Sequence, residues 1–95
     1  MQFRYKKDFL KRFDRLCADD KKLVVAADKE IRRYYLSHEA PYGLRIKKLY
    51  AGSKDKVIEA RVSDKLRIVW LDSEGLVSFS ILGSHDEVKN FLKNL

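Results

Sequence analysis

The residues with the most chemistry to offer lie in one stretch, EARVSDKLRIVW, residues 59–70. Two apolar runs flank the polar turn Ser63-Asp64-Lys65, the pattern of a β-hairpin, yet Glu59, Arg61 and Arg67 stand inside the runs. With a three-residue loop, Val62 opposes Leu66, Ala60 opposes Ile68 and Ile58 opposes Trp70, all on one face. The same register sets Arg61 opposite Arg67 and Glu59 opposite Val69 on the other face, whereas a two-residue loop would mix the classes. Like charges directly opposite each other repel unless an anion lies between them. Glu59 could be that anion, as a structural bridge, or a bound phosphate could be, as a functional one.

The second stretch is LGSHDEVKNFLKNL, residues 82–95. Ser84 and Glu87 fit the S-x-x-E capping box of a helix start, with His85 at the first helical position and Gly83 where the chain turns. His85 is either a surface residue at that helix start or a group held just past the last strand. Asp86 reads as a first-turn charge that complements the helix dipole, and His38 as a surface loop residue. The pair His85-Asp86 resembles a metal phosphohydrolase motif, but the further His and Asp ligands are missing. One cysteine and two histidines cannot build a structural zinc site. There is no glycine-rich phosphate loop and no serine nucleophile elbow. No metal and no cofactor are expected.

The elements that must position these residues follow from periodicity. Phe3 and Tyr5 alternate in a first strand. Phe9, Leu10, Phe13, Leu16 and Cys17 recur at helical spacing over residues 6–18, so Cys17 is expected to be a buried helix residue. Asp19 or Asp20 is expected to cap a second helix, residues 20–37, with the stripe Leu23, Val24, Ala27, Ile31, Tyr34 and Tyr35. The short connection predicts an antiparallel helical hairpin, and Pro41 and Gly43 are expected to end it. Strands follow at 44–50, 57–62, 66–71 and 76–82. A four-residue loop, Asp72 to Gly75, would pair Trp70 with Val77, Ile68 with Phe79 and Leu66 with Ile81. One face is then apolar and packs on the helices. The other, uncovered, carries Glu59, Arg61, Arg67, Ser78 and Ser80, with both arginines exposed. Tyr34 and Tyr35 read as helix–sheet packing rather than as base-stacking groups. The fold class is α+β: an N-terminal helical hairpin on one face of a mostly antiparallel four- to five-stranded sheet, with a short C-terminal helix carrying Val88, Phe91, Leu92 and Leu95 on its apolar side.

Bulk properties set the frame. Ninety-five residues, 45% hydrophobic and 37% charged, suit a single globular domain, residues 1–95. The chain lacks a run of about 18 apolar residues and an apolar signal core, so a cytoplasmic protein with no membrane partner is expected. The net charge is +7. Residues 1–48 hold 14 Lys+Arg against 7 Asp+Glu, and residues 49–95 hold 7 against 7. A basic half of this kind points to nucleic acid or to an acidic protein partner.

Taken in order, a helical hairpin, then IKKLYAGSKDKVIEARVSDKLRIVWL, then LGSHDEV, the chain resembles the RelE/ParE superfamily of toxins from toxin–antitoxin modules, over almost its whole length. The resemblance implies a small antitoxin as cognate partner. One branch of that family cleaves mRNA on the ribosome without metal; another inhibits DNA gyrase without nuclease activity. Both readings stay open here, with an inactive relative as a third. In the nuclease branch the arginine of the LRIVW-like strand contacts the scissile phosphate, which is Arg67 in this sequence. Arg61 fits the basic residue on the neighbouring strand, and His85 the histidine after GS. Glu59 stands where other members place a lysine. Arg45, Lys47, Lys48 and Lys54 are expected to contact mRNA or ribosomal RNA. The chain departs from the pattern at Lys89, where some relatives carry an aromatic, and in lacking a tyrosine near its C-terminus.

Metal-free RNA cleavage uses the 2′-hydroxyl as nucleophile on the adjacent phosphate. It needs a base, an acid for the departing 5′ oxygen, and cations around the pentavalent anion. Under the resemblance, Arg61 and Arg67 are the cations. His85, with an ordinary pKa near 6.5, moves the proton. Glu59 is either a base or a clamp on Arg61.

Overall fold

The computed structural model describes residues 1–38, 44–52 and 54–94. Its elements are β1 (Gln2–Tyr5), α1 (Lys7–Arg15), α2 (Ala18–Ser37), β2 (Arg45–Ala51), β3 (Asp55–Arg61), β4 (Arg67–Ser73), β5 (Leu76–Gly83) and α3 (His85–Lys93). The five strands form one sheet in the order β1-β5-β4-β3-β2, antiparallel except for the parallel β1–β5 pair. This is the α+β arrangement expected from the sequence.

α1 carries Asp8 in its first turn and Arg12 and Arg15 in its last, charges that complement the helix dipole. It stops earlier than its periodicity suggests, because Leu16 and Cys17 are both extended. Cys17 is therefore the exposed N-cap of α2, not a buried helix residue. Asp19 and Asp20 lie inside the first turn of α2 rather than capping it, and no side chain supplies the cap. Leu23, expected on the apolar stripe, is 45% exposed, while Val24, Ala27 and Ile31 are buried. α2 ends where His38 turns left-handed, φ 60°, and donates its N–H to the Tyr34 carbonyl. Pro41, Gly43 and Leu95 lie outside the described residues.

α1 and α2 cover one face of the sheet. Phe9, Val24, Ala27 and Ile31 pack there with Ile58, Ala60, Ile68, Trp70, Val77 and Phe79. Phe79 is the hub: Tyr5 stacks on it at 4.8 Å, with Phe9 at 5.9 Å and Trp70 at 6.2 Å between centroids. Aromatic rings of this size dominate core energetics, provided their polar tips find partners. They do: Trp70 Nε1 donates to Tyr35 Oη at 2.7 Å and Tyr5 Oη to Asp28 Oδ1 at 2.6 Å. Lys21 Nζ lies 5.8 Å from the Phe13 ring and ties the start of α2 to α1.

The β3–β4 hairpin has the expected register, with Ile58, Glu59, Ala60 and Arg61 paired to Trp70, Val69, Ile68 and Arg67. Ser63 Oγ accepts from the amides of Lys65 and Leu66 and shapes the three-residue turn. The β4–β5 register differs from the expectation. Ser73 pairs with Leu76, leaving a two-residue turn at Glu74 (φ 41°) and Gly75 (φ 88°). Two successive positive φ angles are what a twist-matched two-residue hairpin demands, and glycine adopts one without strain. Trp70 consequently pairs with Phe79 instead of Val77. That two-residue shift preserves faces.

A bulge then changes them. Val69 pairs with Ile81 and Trp70 with Phe79, so Ser80 is extra; its hydroxyl donates to the Ser78 carbonyl at 3.1 Å. Beyond the bulge Leu82 belongs to the helix-covered core, and Ile81, expected there, is on the opposite face. That opposite face is not left uncovered. Val88 of α3 packs on Val57 and Val69, with Leu49, Leu71, Ile81, Phe91 and Leu92 around them.

Candidate functional site

Directly opposed residues in antiparallel strands share a face. Arg45 pairs with Arg61, Arg61 with Arg67, and Arg67 with Gly83. Three arginines thus stand in one row across β2, β3 and β4, spanning roughly 10 Å at ordinary strand spacing. The next row on the same face reads Lys47, Glu59, Val69 and Ile81. Four cations on three adjacent strands surround a single carboxylate.

That carboxylate is committed. Arg67 Nη1 donates to Glu59 Oε1 at 2.9 Å, with side chains only 17% and 8% exposed. The expectation of an exposed Arg67 is corrected by this contact: folding back to Glu59 draws the guanidinium toward the sheet and leaves its side chain 17% exposed. Arg61 is likewise half-buried. Glu59 is thereby the anion between strands, in the structural sense left open by the sequence. An arginine presents five donors, so Arg67 keeps further N–H groups for an incoming oxyanion.

The bulge at Ser80 sets the other side of the site. It places Gly83, rather than Leu82, opposite Arg67, and the chain then turns into α3. Ser84 is the N-cap and His85 the first residue of the helix, as the spacing predicts. Ser84 Oγ accepts from the Glu87 amide, and Glu87 Oε1 accepts from the Ser84 amide, both at 3.2 Å. His85 is exposed, two residues beyond the partner of Arg67. Burial pulls the Glu87 carboxyl upward, but the Ser84 amide and the Arg12 guanidinium outweigh it and hold it below its ordinary value.

Other basic residues divide. Arg45 and Lys47 are exposed on the face of the arginine row. Lys48 pairs with Ile58, a core-side residue, and lines a small cavity with Tyr34 and Tyr35 on the helix side. Lys54 lies in the β2–β3 turn, at the opposite end of the sheet from Arg61. The structure therefore gathers Arg45, Lys47, Glu59, Arg61, Arg67 and the start of α3, and leaves Lys48 and Lys54 elsewhere.

Sequence reasoning missed an open groove of about 700 Å³ on the same side, lined by Leu49, Tyr50, Val57, Leu71, Ser78 and Leu92 among others. Tyr50 is 59% exposed beside it. The signal was present: Val57, Val69 and Leu71 share the parity of Glu59 and Arg67, so that face is half apolar. Among the described residues no group of three or more His, Cys, Asp or Glu could hold a metal ion, and no helix is long and apolar enough to cross a membrane.

No protein-family model matches the sequence, and no curated protein does. Solved structures do match in fold. The RelE–RelB complex of the archaeon Pyrococcus horikoshii has a chain that superposes with a TM-score of 0.71 at 13% identity, covering 87% of this chain and 92% of its own. The RelB–RelE antitoxin–toxin complex of Methanococcus jannaschii gives 0.64 at 16%, covering 92% and 95%. A copper-bound mutant toxin of Helicobacter pylori gives 0.65 at 20%, covering 93% and 98%. The fold of this chain is the RelE-like toxin fold.

Proposed function

We propose that this protein is the toxin of a toxin–antitoxin module and a metal-independent endoribonuclease that cleaves mRNA on the ribosome. The observation that carries the reading is the row Arg45, Arg61, Arg67, which runs into Gly83 and so to His85. The row supplies planar, multi-donor cations to hold a phosphate and the charge that builds on it when a 2′-hydroxyl attacks. His85, on the rim where α3 begins, supplies an imidazole for proton transfer. Glu59 holds Arg67 in place while the site is empty. RNA phosphate then takes the remaining guanidinium donors or competes for the bond to Glu59.

The partner on this reading is a small antitoxin with an acidic segment, attracted to the basic surface contributed by residues 1–48 and by the arginine row. Ribosomal RNA would use the same charge. One observation favours a second reading, a binding toxin acting on DNA gyrase: Arg67 is already paired and partly buried.

The test is to express wild type, Arg67→Ala and His85→Ala, confirm folding by circular dichroism, and map mRNA 5′ ends on translating ribosomes. Removing one preorganised oxyanion donor costs about 10²–10³-fold in rate, so Arg67→Ala should nearly abolish cutting. His85→Ala should lose about 10²-fold or more. Wild-type cutting by both variants would refute the assignment of the site. Unaltered RNA ends with altered supercoiling in wild-type cells would replace the nuclease reading with the gyrase one.

A further inference from the structure

We infer that Arg12, on α1, is a positioning residue for His85, acting through Glu87 as a strap between the first helix and the start of α3. The inference deepens the nuclease reading and rests on it for the role of His85. Arg12 Nη1 meets Glu87 Oε2 at 2.9 Å, joining residues from opposite ends of the chain. The other oxygen of the same carboxylate accepts from the Ser84 amide, and the Glu87 amide donates to Ser84 Oγ. Both carboxylate oxygens are thus engaged, one tying Glu87 to α1 and the other closing the turn that contains His85. Among the described residues no hydrogen bond or ion pair holds the imidazole itself. Its placement depends on the backbone of that turn.

Two further features show that the turn is built around Glu87. A Cβ at Gly83 would sit 3.0 Å from the Glu87 carboxyl carbon and from Oε2, so glycine leaves the space that this side chain fills. Val88, the next residue, is buried against Val57 and Val69. That contact fixes the helix one turn further along and leaves its first turn to the strap. The Arg12 and Glu87 side chains are 40% and 44% exposed, so the pair adds little to stability. Its effect is geometric: it biases the turn toward the arrangement that presents His85, and loss of that bias lowers the rate.

Arg12 also lines a groove with Lys11, Arg15, Asn90 and Asn94, where it could contact RNA directly. The test separates the two roles. Single-turnover cleavage on programmed ribosomes is measured for wild type, Arg12→Ala, Arg12→Lys and Glu87→Ala, and for Arg12→Ala combined with His85→Ala. Arg12→Ala should lower the maximal rate about three- to fivefold at unchanged half-saturation, the scale of one exposed ion pair. Arg12→Lys should restore most of it, and Glu87→Ala should lose at least as much as Arg12→Ala. In the His85→Ala background Arg12→Ala should cost nothing further, because coupled residues are non-additive. A rise in half-saturation with unchanged maximal rate, or the same loss in both backgrounds, would overturn the inference. Amide exchange of the free protein gives an arm independent of cleavage. Arg12→Ala should speed exchange at Ser84 and Glu87 several-fold and leave the Trp70 and Phe79 amides unchanged; equal protection at residues 84–87 refutes the strap. If wild type cuts no RNA, the nuclease reading fails, and exchange alone decides whether the strap exists.

Discussion

The two faces of the sheet are built on different principles. Between the sheet and α1 and α2 lie Phe3, Tyr5, Phe9, Trp70 and Phe79, a continuous set of ring contacts in which Phe9, Trp70 and Phe79 are buried and Phe3 and Tyr5 partly so. Between the sheet and α3 lie the small side chains Val57, Val69 and Val88, and beside them a partly buried ion pair and a row of arginines. Large rings bury much apolar area and fix one packing, so the first face supplies stability. The second gives up apolar area to hold charge, and a single short helix shields only part of it. The proposed site lies on the face where burial is less complete.

Breaking the first face should produce the largest effect. Trp70→Ala removes a wholly buried indole and leaves Tyr35 Oη without its donor; a loss of about 3–5 kcal/mol is expected in urea unfolding. A loss below about 1 kcal/mol would erase the contrast between the faces. On the second face, Glu59→Ala leaves a largely buried Arg67 cation without its partner. It should cost about 2 kcal/mol, less than the ~3–5 of a wholly buried pair because Arg67 keeps some access to water. Glu59→Gln, which retains an acceptor, should cost less. If Glu59→Ala is neutral in unfolding experiments, the ion pair is not what orders that face.

The smallest effect is a pH dependence confined to the first face. Burial, aided by the hydrogen bond and the negative charge of Asp28, pushes the Tyr5 phenol from 10.0 up to about 12. The folded protein therefore holds that proton more tightly than the unfolded chain. Its contribution to stability is full below pH 10 and is lost as pH rises toward about 12. Burial raises the Tyr35 phenol in the same direction. Alkaline unfolding curves for wild type and Tyr5→Phe should diverge in that window, with the variant flatter; parallel curves would show that Tyr5 is not the titrating group.

Legibility in the sequence followed the same division. The β3–β4 register was readable because three loop residues leave only one alternation that keeps Ile58, Ala60, Ile68 and Trp70 together. The capping box around His85 was readable because Ser84 and Glu87 are its chemistry. The bulge at Ser80 was not, since a buried serine in an apolar strand looks like any polar alternate, and only its hydroxyl's bond to Ser78 shows what it does. With the bulge unseen, the pairing of Gly83 with Arg67 was unseen too, and so was the reason His85 starts where it does. The Arg67–Glu59 contact depends on side-chain direction, which strand parity permits but does not determine. Cys17 was misplaced because helical spacing persists for two residues after the helix has ended.

The parallel pairing of β1 with β5 has a kinetic side. Phe3 and Tyr5 face Val77 and Phe79 across that pair, so the first of the five strands in chain order bonds to the fifth. Joining such distant segments carries a large loop-closure entropy, and folds rich in these contacts form slowly. On a ribosome, α1 and α2 emerge before the strands they cover, and β2 to β4 can pair as hairpins while β1 waits. Two aromatic residues of the core stay exposed until β5 is released. Closure of the molecule is thus a late, single event of nascent-chain folding, and until it occurs Phe79 lacks Tyr5, the ring that stacks on it most closely.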